Sequence, residues 1–512
     1  MKRAPGPCEV TMMDRCAAMR EAMHEPELRA RLFAGSFGMR MQAHRVLTDG
    51  RASRYPYPSQ LGSRVKNPYL TSGISDNLME FNAVIVKGSE AAVRQLQILQ
   101  QIVDRQMESQ ERLWPLTMPP ALVYKDDLDF LSYNCSRPDQ KDFYHYLVGK
   151  YGIKSLLMGG VHVGYGLDKQ LLEEIYRRFY QDKYRRQADF QNHLYFKLAQ
   201  GFYRWRWLFT YLFGASPVAT SVKDIVAPEL EHQVRSLRNS KYGFTNLPNE
   251  QVDYSSLDAY INSLADYLEN GTYQNFHEYF GPVCLHGRTN NLEKTINDGV
   301  QYISMRGFDT DPFSKAGISE DTLNFLELVM IYTLLTETPD DMADKVKVAT
   351  ERNEQAALQE PTAQEDWMKE EGLDFVNQLE AFCEEYDAPR KYRLALKFVQ
   401  RRIEDPSLTI AGQMASKMEN GTMLSFGLKV ANDRYLELVQ SSQPLAVIAK
   451  GYSVTAQELI RAAIVLGIQV WLDHGARFNV GNHEELLPAD VDLPLEEGPQ
   501  QYLLNLFPEV GN

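Results

Sequence analysis

The chain has 512 residues, of which 44% are hydrophobic, 11% aromatic and 24% charged, an ordinary globular composition with room for about two to four domains or one large one. A net charge of −14 excludes a nucleic-acid binder, because phosphate contacts need a basic face. No apolar run approaches the roughly 18–20 residues that cross a bilayer, so a helical membrane protein is excluded and no membrane partner is expected.

Met1–Val10 carries Lys2 and Arg3 with no apolar stretch behind them, so no secretory signal is expected. Cys8, Cys16, Cys135, Cys284 and Cys383 are scattered without CxxC spacing. That usage fits a reducing compartment, the cytoplasm, rather than a disulfide scaffold or a zinc site.

In chain order, residues 11–33 place Met, Leu and Phe at helical spacing among charges and predict an amphipathic helix. Gly35–Val46 predicts a strand, and Tyr55–Pro68, rich in Pro, Gly and Ser, a loop. Ile74–Val86 ends in Ala83-Val-Ile-Val86, a predicted buried strand. Glu90–Arg112 predicts a helix with Ser89 as its N-cap, stopped by Pro115, Pro119 and Pro120. Asp139–Tyr151 predicts a helix and Ser155–Val163 a buried strand. Leu171–Phe213 is a long helical region whose dense aromatics fit helix packing rather than base stacking. Residues 248–270 and Ser319–Leu335 predict helices, the second opened by Ser319 with Glu320 and Asp321 in its first turn. Residues 337–372 predict an exposed helical excursion. Residues 373–403 and 425–468 are helical by pattern, and Phe478–Asn512 is expected to be loop-rich with a short apolar finish. No Gly-rich phosphate loop is present, since Gly159-Gly160 fits neither the P-loop nor the dinucleotide spacing.

The segment Gly299–Phe313 is the most informative. Val300–Met305 is β-favouring, and alternation puts Tyr302, Ser304 and Arg306 on one face and Gln301, Ile303 and Met305 on the other. An interior strand with a core behind and a polar cavity in front would look like this. So would an edge strand whose Arg meets solvent.

Several motifs carry a resemblance. Glu111-Arg-Leu-Trp-Pro-Leu-Thr-Met-Pro-Pro120, Gly160-Val-His-Val-Gly-Tyr-Gly-Leu167, Thr210-Tyr-Leu-Phe-Gly-Ala-Ser-Pro217 and Ser236-Leu-Arg-Asn-Ser-Lys-Tyr-Gly-Phe244 resemble segments of bacterial glutamate–cysteine ligases. Asp309-Thr-Asp-Pro-Phe313 matches in the same order. Ala411–Gly421 and Ser453–Ile468 are most similar to the ligase half of bifunctional glutathione-synthesising enzymes. The resemblance covers about residues 33–480. It implies an N-terminal helical extension over 1–32, one ligase-like domain over 33–480 containing the 337–372 excursion, and a tail over 481–512. No ATP-grasp half is expected after it. The implied fold is α+β, a curved, mostly antiparallel sheet forming a cradle wrapped by helices, akin to glutamine synthetase.

The resemblance also implies a reaction: ATP phosphorylates the γ-carboxylate of glutamate, and the cysteine amine displaces the phosphate. Such a transfer needs magnesium held by several carboxylates. Here the sequence departs from the family pattern. Arg40 and Gln42 stand where the family strand carries two Glu, Gly73 where it carries Asp, and Ser304 where it carries Glu. Glu80 and His162 are the metal-site remnants. The Asn two residues beyond His162 is Gly164, and the family Pro-Val-Arg reads Pro282-Val-Cys284. Residues 34–46 contain no Asp or Glu, so no shift of register restores the pair. A fixed cation at Arg40 repels a metal, and it is expected to pair with Glu80.

Three readings follow. In the first the chain is a pseudoenzyme with no expected cofactor, in which Arg238, Arg306 and His162 hold a carboxylate ligand such as glutamate, or which serves a protein partner. In the second it is an active carboxylate–amine ligase of altered chemistry, with Arg238, Arg306 and Cys284 as candidate catalytic residues. The third is an ordinary glutamate–cysteine ligase using ATP and magnesium.

Overall fold

The computed structural model describes residues 12–120, 130–131, 139–217, 230 and 232–511; Cys8 and Cys135 lie outside them. Its organising element is a twelve-residue strand, β1 (Ser36–Leu47). Phe37, Met39, Met41 and Ala43 are buried along one face, while Gly38, Arg40 and Gln42 alternate onto the other. Around it lie β2 (Leu70–Ser72), β3 (Leu78–Asn82), β4 (Val86–Lys87), β5 (Glu111–Leu113), β6 (Gly160–Gly166), β7 (Val283–His286) and β8 (Tyr302–Phe308). The sheet runs β2-β3-β1-β6-β8-β7, with β4 and β5 also pairing β1. Every pairing is antiparallel and the sheet stays open. The architecture is the expected α+β one.

One face of the sheet is closed by helices. Gln187–Phe213 packs on β7 and β8, Ser89–Asp104 on β1, and Glu320–Leu335 against Gln187–Phe213. Phe202, Phe209, Phe213, Phe308 and Phe325 interlock there with ring centroids 5.2–6.5 Å apart, within the range of favourable aromatic pairs. Ser319 caps Glu320–Leu335 as expected, accepting from the Thr322 amide. β8 lies between β6 and β7, so it is an interior strand; Ile303 and Met305 are fully buried.

Several boundaries differ from expectation. Ala83-Val-Ile-Val86 is not a buried strand: the pairing partner of β1 is Leu78–Asn82, and Ile85 is 57% exposed. The chain bows outward between the two pairings, exposing Ile85, and returns to β1 only as the two-residue β4. The helix predicted to reach Arg112 ends at Asp104, where β5 turns back onto β1. Ser89 is its first helical residue rather than its cap, and its hydroxyl bonds Asn324 Oδ1 at 2.7 Å. The strand expected from Ser155 begins at Gly160, after a short helix Ile153–Leu156. Residues 342–358 form a helix that is exposed on one side only. Its Ala349, Ala356 and Ala357 are buried and allow close approach to Gln187–Phe213. The tail is more regular than expected: β9 (Gln469–Leu472), β10 (Gly475–Val480) and β11 (His483–Pro488) form an antiparallel sheet. Gly481, at φ +60°, makes the tight β10–β11 connection, as a two-residue hairpin turn requires.

Candidate functional site

The face of the sheet opposite the helices carries the polar side chains. Arg40 lies directly between Asn82 on β3 and His162 on β6, and Gln42 between Glu80 and Gly160. Gly38 faces Gly164, Gly164 faces Ser304, and Ser304 faces Cys284 on β7. The register shifts between β6 and β8, so that Val161 pairs Phe308 and Val163 pairs Met305. Arg306 and Gly307 therefore both oppose His162, a β-bulge that turns Arg306 toward that ring.

Glu80 is fully engaged. Its Oε2 accepts from Arg40 Nη2 at 2.7 Å and its Oε1 from Gln42 Nε2 at 2.7 Å. The pairing of Arg40 with Glu80 expected from the sequence is present. Gly73 lies against the same carboxylate, since a Cβ there would come within 3.2 Å of Glu80 Oε1.

Arg238 comes from a loop rather than the sheet. Its guanidinium lies over Gly160, where a Cβ would meet Cζ and Nε at 2.6 Å. It donates to the Arg306 carbonyl at 2.5 Å and reaches His162 Nε2 at 3.3 Å. Arg306 in turn donates to the Tyr279 carbonyl. The Nε atoms of both arginines are buried and find no acceptor among the described residues. The Arg238 amide donates to Ser216 Oγ at 3.1 Å, and Ser216 is in turn fixed by Asp309. That carboxylate's Oδ2 accepts from the Ala215 amide (2.7 Å), the Ser216 hydroxyl (2.9 Å) and the Ser236 hydroxyl (2.7 Å). Nearby, Thr117 Oγ1 accepts from the Thr310 amide at 2.7 Å, and the Thr117 carbonyl from the Gly159 amide at 2.9 Å.

The site is cationic. Burial and then the charges of Arg306, Arg238 and Arg40 hold His162 well below the ordinary imidazole range. Burial and Arg306 push His286 down to about 3, and burial and Arg40 lower His277. The Glu80 charge raises Arg40 above its ordinary value, whereas burial lowers Arg238. His286 stacks on Tyr302, with centroids 5.0 Å apart and planes at 11°. Sequence reasoning missed both histidines as site residues; His286 lies two residues beyond Cys284 on the same strand, so alternation alone would have placed it on this face.

Of the candidate residues, Arg40, Gln42, Glu80, His162, Arg238, Ser304 and Arg306 come together on the cradle face, with Gly73 beside Glu80. Cys284 shares the face by register but is fully buried, and burial raises its thiol pKa. That is the reverse of what a nucleophilic thiolate needs. Among the described residues, no group of three or more His, Cys, Asp or Glu side chains could hold a metal ion. The one cradle carboxylate already has both oxygens bonded to Arg40 and Gln42. These residues do not fit a magnesium cluster, which requires several free carboxylate oxygens. No described helix is long and apolar enough to cross a membrane.

Residues 21–356 match the glutamate-cysteine ligase family. The glutathione biosynthesis bifunctional protein GshAB of Streptococcus agalactiae is 32% identical over 413 residues, covering 80% of this chain and 52% of that protein. The protein of the same description from Listeria monocytogenes is 29% identical over 484 residues, covering 90% and 62%. The chain thus spans about half to three-fifths of the length of these relatives. A bifunctional glutathione synthetase from Pasteurella multocida superposes with a TM-score of 0.81 at 26% identity, over 91% of this chain and 61% of that one. A glutamate–cysteine ligase from Francisella tularensis, solved with AMP, shares the fold at a TM-score of 0.68 and 23% identity, over 85% and 93%. With two thirds of its length matched to the family and the same scaffold in a solved relative, this chain belongs to the glutamate–cysteine ligase family.

Proposed function

We propose that the chain is a non-catalytic member of its family, a pseudoenzyme that holds an anionic ligand in the cradle or supports a protein partner. The observation that carries this reading is the closed knot of Glu80 with Arg40 and Gln42. Phosphoryl transfer requires divalent ions bridging the phosphates, which neutralise the developing charge and hold the reacting atoms in line. A guanidinium supplies charge but cannot template that geometry. Arg238, Arg306 and His162 supply what remains: two guanidinium groups that recognise carboxylates and a neutral imidazole beside them. Family membership suggests glutamate, and the two guanidinium groups answer to its carboxylates rather than to its amine.

Isothermal titration of ATP with magnesium against the whole protein tests this. No saturable binding is expected, and no ADP release on adding glutamate and cysteine. Micromolar nucleotide binding with amine-dependent ADP release would overturn it. Family membership and the names of the relatives favour a second reading, an ATP-dependent carboxylate–amine ligase, ordinary or of altered substrate, and the same titration decides between the two.

A further inference from the structure

Among the described residues the cradle has an excess of positive charge and offers an ammonium group no exposed, unpaired carboxylate. Arg238, from a loop, reaches the His162 ring at 3.3 Å, and the charges of Arg40 on β1 and Arg306 on β8 act on it as well. Glu80 compensates Arg40 and nothing else. Neither Arg238 nor Arg306 makes an ion pair with a described carboxylate. Asp309 offsets part of the Arg238 charge from a buried position, 3% exposed, with Oδ2 serving three donors and Oδ1 without a partner among the described residues. Arg238 is 3% exposed, yet its Nε lacks an acceptor, as does the buried Nε of Arg306. Buried donors are nearly always satisfied, and two orphaned guanidinium edges in one recess call for an oxyanion.

The cradle-facing positions of the strands, 38, 40, 42, 80, 82, 160, 162, 164, 284, 286, 302, 304 and 306, hold one carboxylate, Glu80. Both of its oxygens are occupied. Among the described residues, an α-ammonium entering here would meet guanidinium charge in excess of carboxylate and no exposed, unpaired carboxylate on the strands. An amino acid is therefore a poorer occupant than the same anion without its amine. We propose that the cradle selects a dianionic ligand lacking an ammonium group, a dicarboxylate or a phosphate monoester, and binds it without a divalent metal. This rests on the reading that the site holds a ligand rather than transferring a phosphoryl group. The positive charge that metal ions bring to a phosphate site is built in here as arginine, which binds carboxylate and phosphate by the same two-pronged geometry.

Calorimetric titration of succinate, inorganic phosphate and L-glutamate at constant ionic strength in EDTA tests the proposal, and the first two arms distinguish the sources of the dianion. Succinate or phosphate is expected to bind at least about tenfold tighter than L-glutamate, and millimolar magnesium is expected to change neither by more than about twofold. Arg306→Gln is expected to weaken the dianion by about tenfold or more. Arg40→Gln, at a side chain 46% exposed and so not needed for folding, gives a second variant with the same direction of effect, because Glu80 is then left to repel the anion. Tighter binding of L-glutamate, binding that requires magnesium, no saturable binding of any probe, or unchanged affinity in a folded variant would overturn it. Release of ADP with glutamate and cysteine would defeat the non-catalytic reading. Reversed selectivity without ADP release would defeat this inference alone.

Discussion

Restoring acids at positions 40 and 42 is the sharpest perturbation available. In the native chain the Arg40–Glu80 pair at 2.7 Å involves a side chain 46% exposed, so it contributes at most about 1 kcal/mol. Arg40→Glu with Gln42→Glu removes that contribution and sets three carboxylates on neighbouring strands. Gln42 faces Glu80 in register, and Arg40, two residues along, is diagonal to it. Facing side chains are about 5 Å apart and diagonal ones about 7–8 Å, so for effective dielectric constants between about 80 and 20 the facing pair repels by about 1–3 kcal/mol and the diagonal one by about 0.5–2 kcal/mol. These repulsions and the lost pair make the metal-free variant roughly 3–5 kcal/mol less stable, after one carboxylate takes up a proton. At about 2.1 cal/mol/K of unfolding entropy per residue, each kcal/mol moves the Tm of a 512-residue chain by about 1 °C. Thermal melts in EDTA are expected to show a drop of about 3–5 °C. Magnesium at a hundred times its dissociation constant returns about 2.7 kcal/mol, so the variant should be stabilised by magnesium while the native protein is indifferent to it. ADP release is not expected to appear, because Gly73 and Ser304 still offer no carboxylate. Native protein that gains Tm in magnesium, or a variant as stable as native in EDTA, would refute the reasoning.

Four further outcomes are expected. Gly160→Ala places a methyl 2.6 Å from the Arg238 guanidinium; the flexible end of the side chain gives way, so anion affinity measured by calorimetry should fall about tenfold with little change in Tm. Arg45→Met strands Glu111, which is 1% exposed and bonded to Arg45 at 2.8 Å. Chemical denaturation should show a loss of about 3–5 kcal/mol, most of it recovered by adding Glu111→Leu. Cys284 should remain unalkylated by iodoacetamide in the native protein at pH 8 and react only on unfolding, read by peptide mass spectrometry; early labelling would contradict its burial. Finally, His286 and His277 have folded pKa values below the ordinary value, so the unfolded chain takes up protons first. The stability they contribute is complete above about pH 6.5 and declines as pH falls toward 3. Melts at pH 7.5 and 5 should show that loss, and His286→Gln should shrink it.

The strands that border the cradle were legible because their chemistry alternates. Tyr302, Ser304 and Arg306 against Ile303 and Met305 announced both faces of β8, and the absence of any acid in residues 34–46 was visible without an alignment. The Arg40–Glu80 contact followed from the resemblance, which put both residues at one site, together with their opposite charges. Other features were hidden by physical ambiguity. Ala83–Val86 has the composition of a buried strand, but the chain bows out at Ile85 and pairs β1 again only at Val86–Lys87. The helix after Ser89 carries an uninterrupted helical pattern past Asp104, and tertiary pairing of β5 with β1 overrides it. The β9–β11 sheet does not stand out in the sequence although Gly481-Asn482 is a hairpin signal, because the strand that follows opens on His483-Glu484-Glu485. His277 and His286 could not be tied to Arg40 from sequence, since more than two hundred positions separate them and only the register of the sheet brings them near.

The retained motifs deserve a different weight from the substituted positions once their contacts are known. Ala215 and Ser216 from one motif and Ser236 from the next converge on Asp309 of the third, and Thr117 ties the Trp114–Pro120 segment to Thr310 and Gly159. Each of these contacts satisfies a buried polar group, and leaving any of them unpaired costs about 1–3 kcal/mol. Their persistence is thus accounted for by folding alone and carries no information about turnover. Of the positions at which the sequence departs from the pattern that the resemblance implies, Arg40, Gln42 and Ser304 lie on the cradle face and Gly73 is buried beside Glu80, apart from that network. The Arg238 loop is positioned by that same network, through the Ser216 hydroxyl on its amide. The scaffold and the anion-facing arginine therefore persist together, and a variant such as Ser216→Ala should weaken ligand binding and stability in parallel rather than separately.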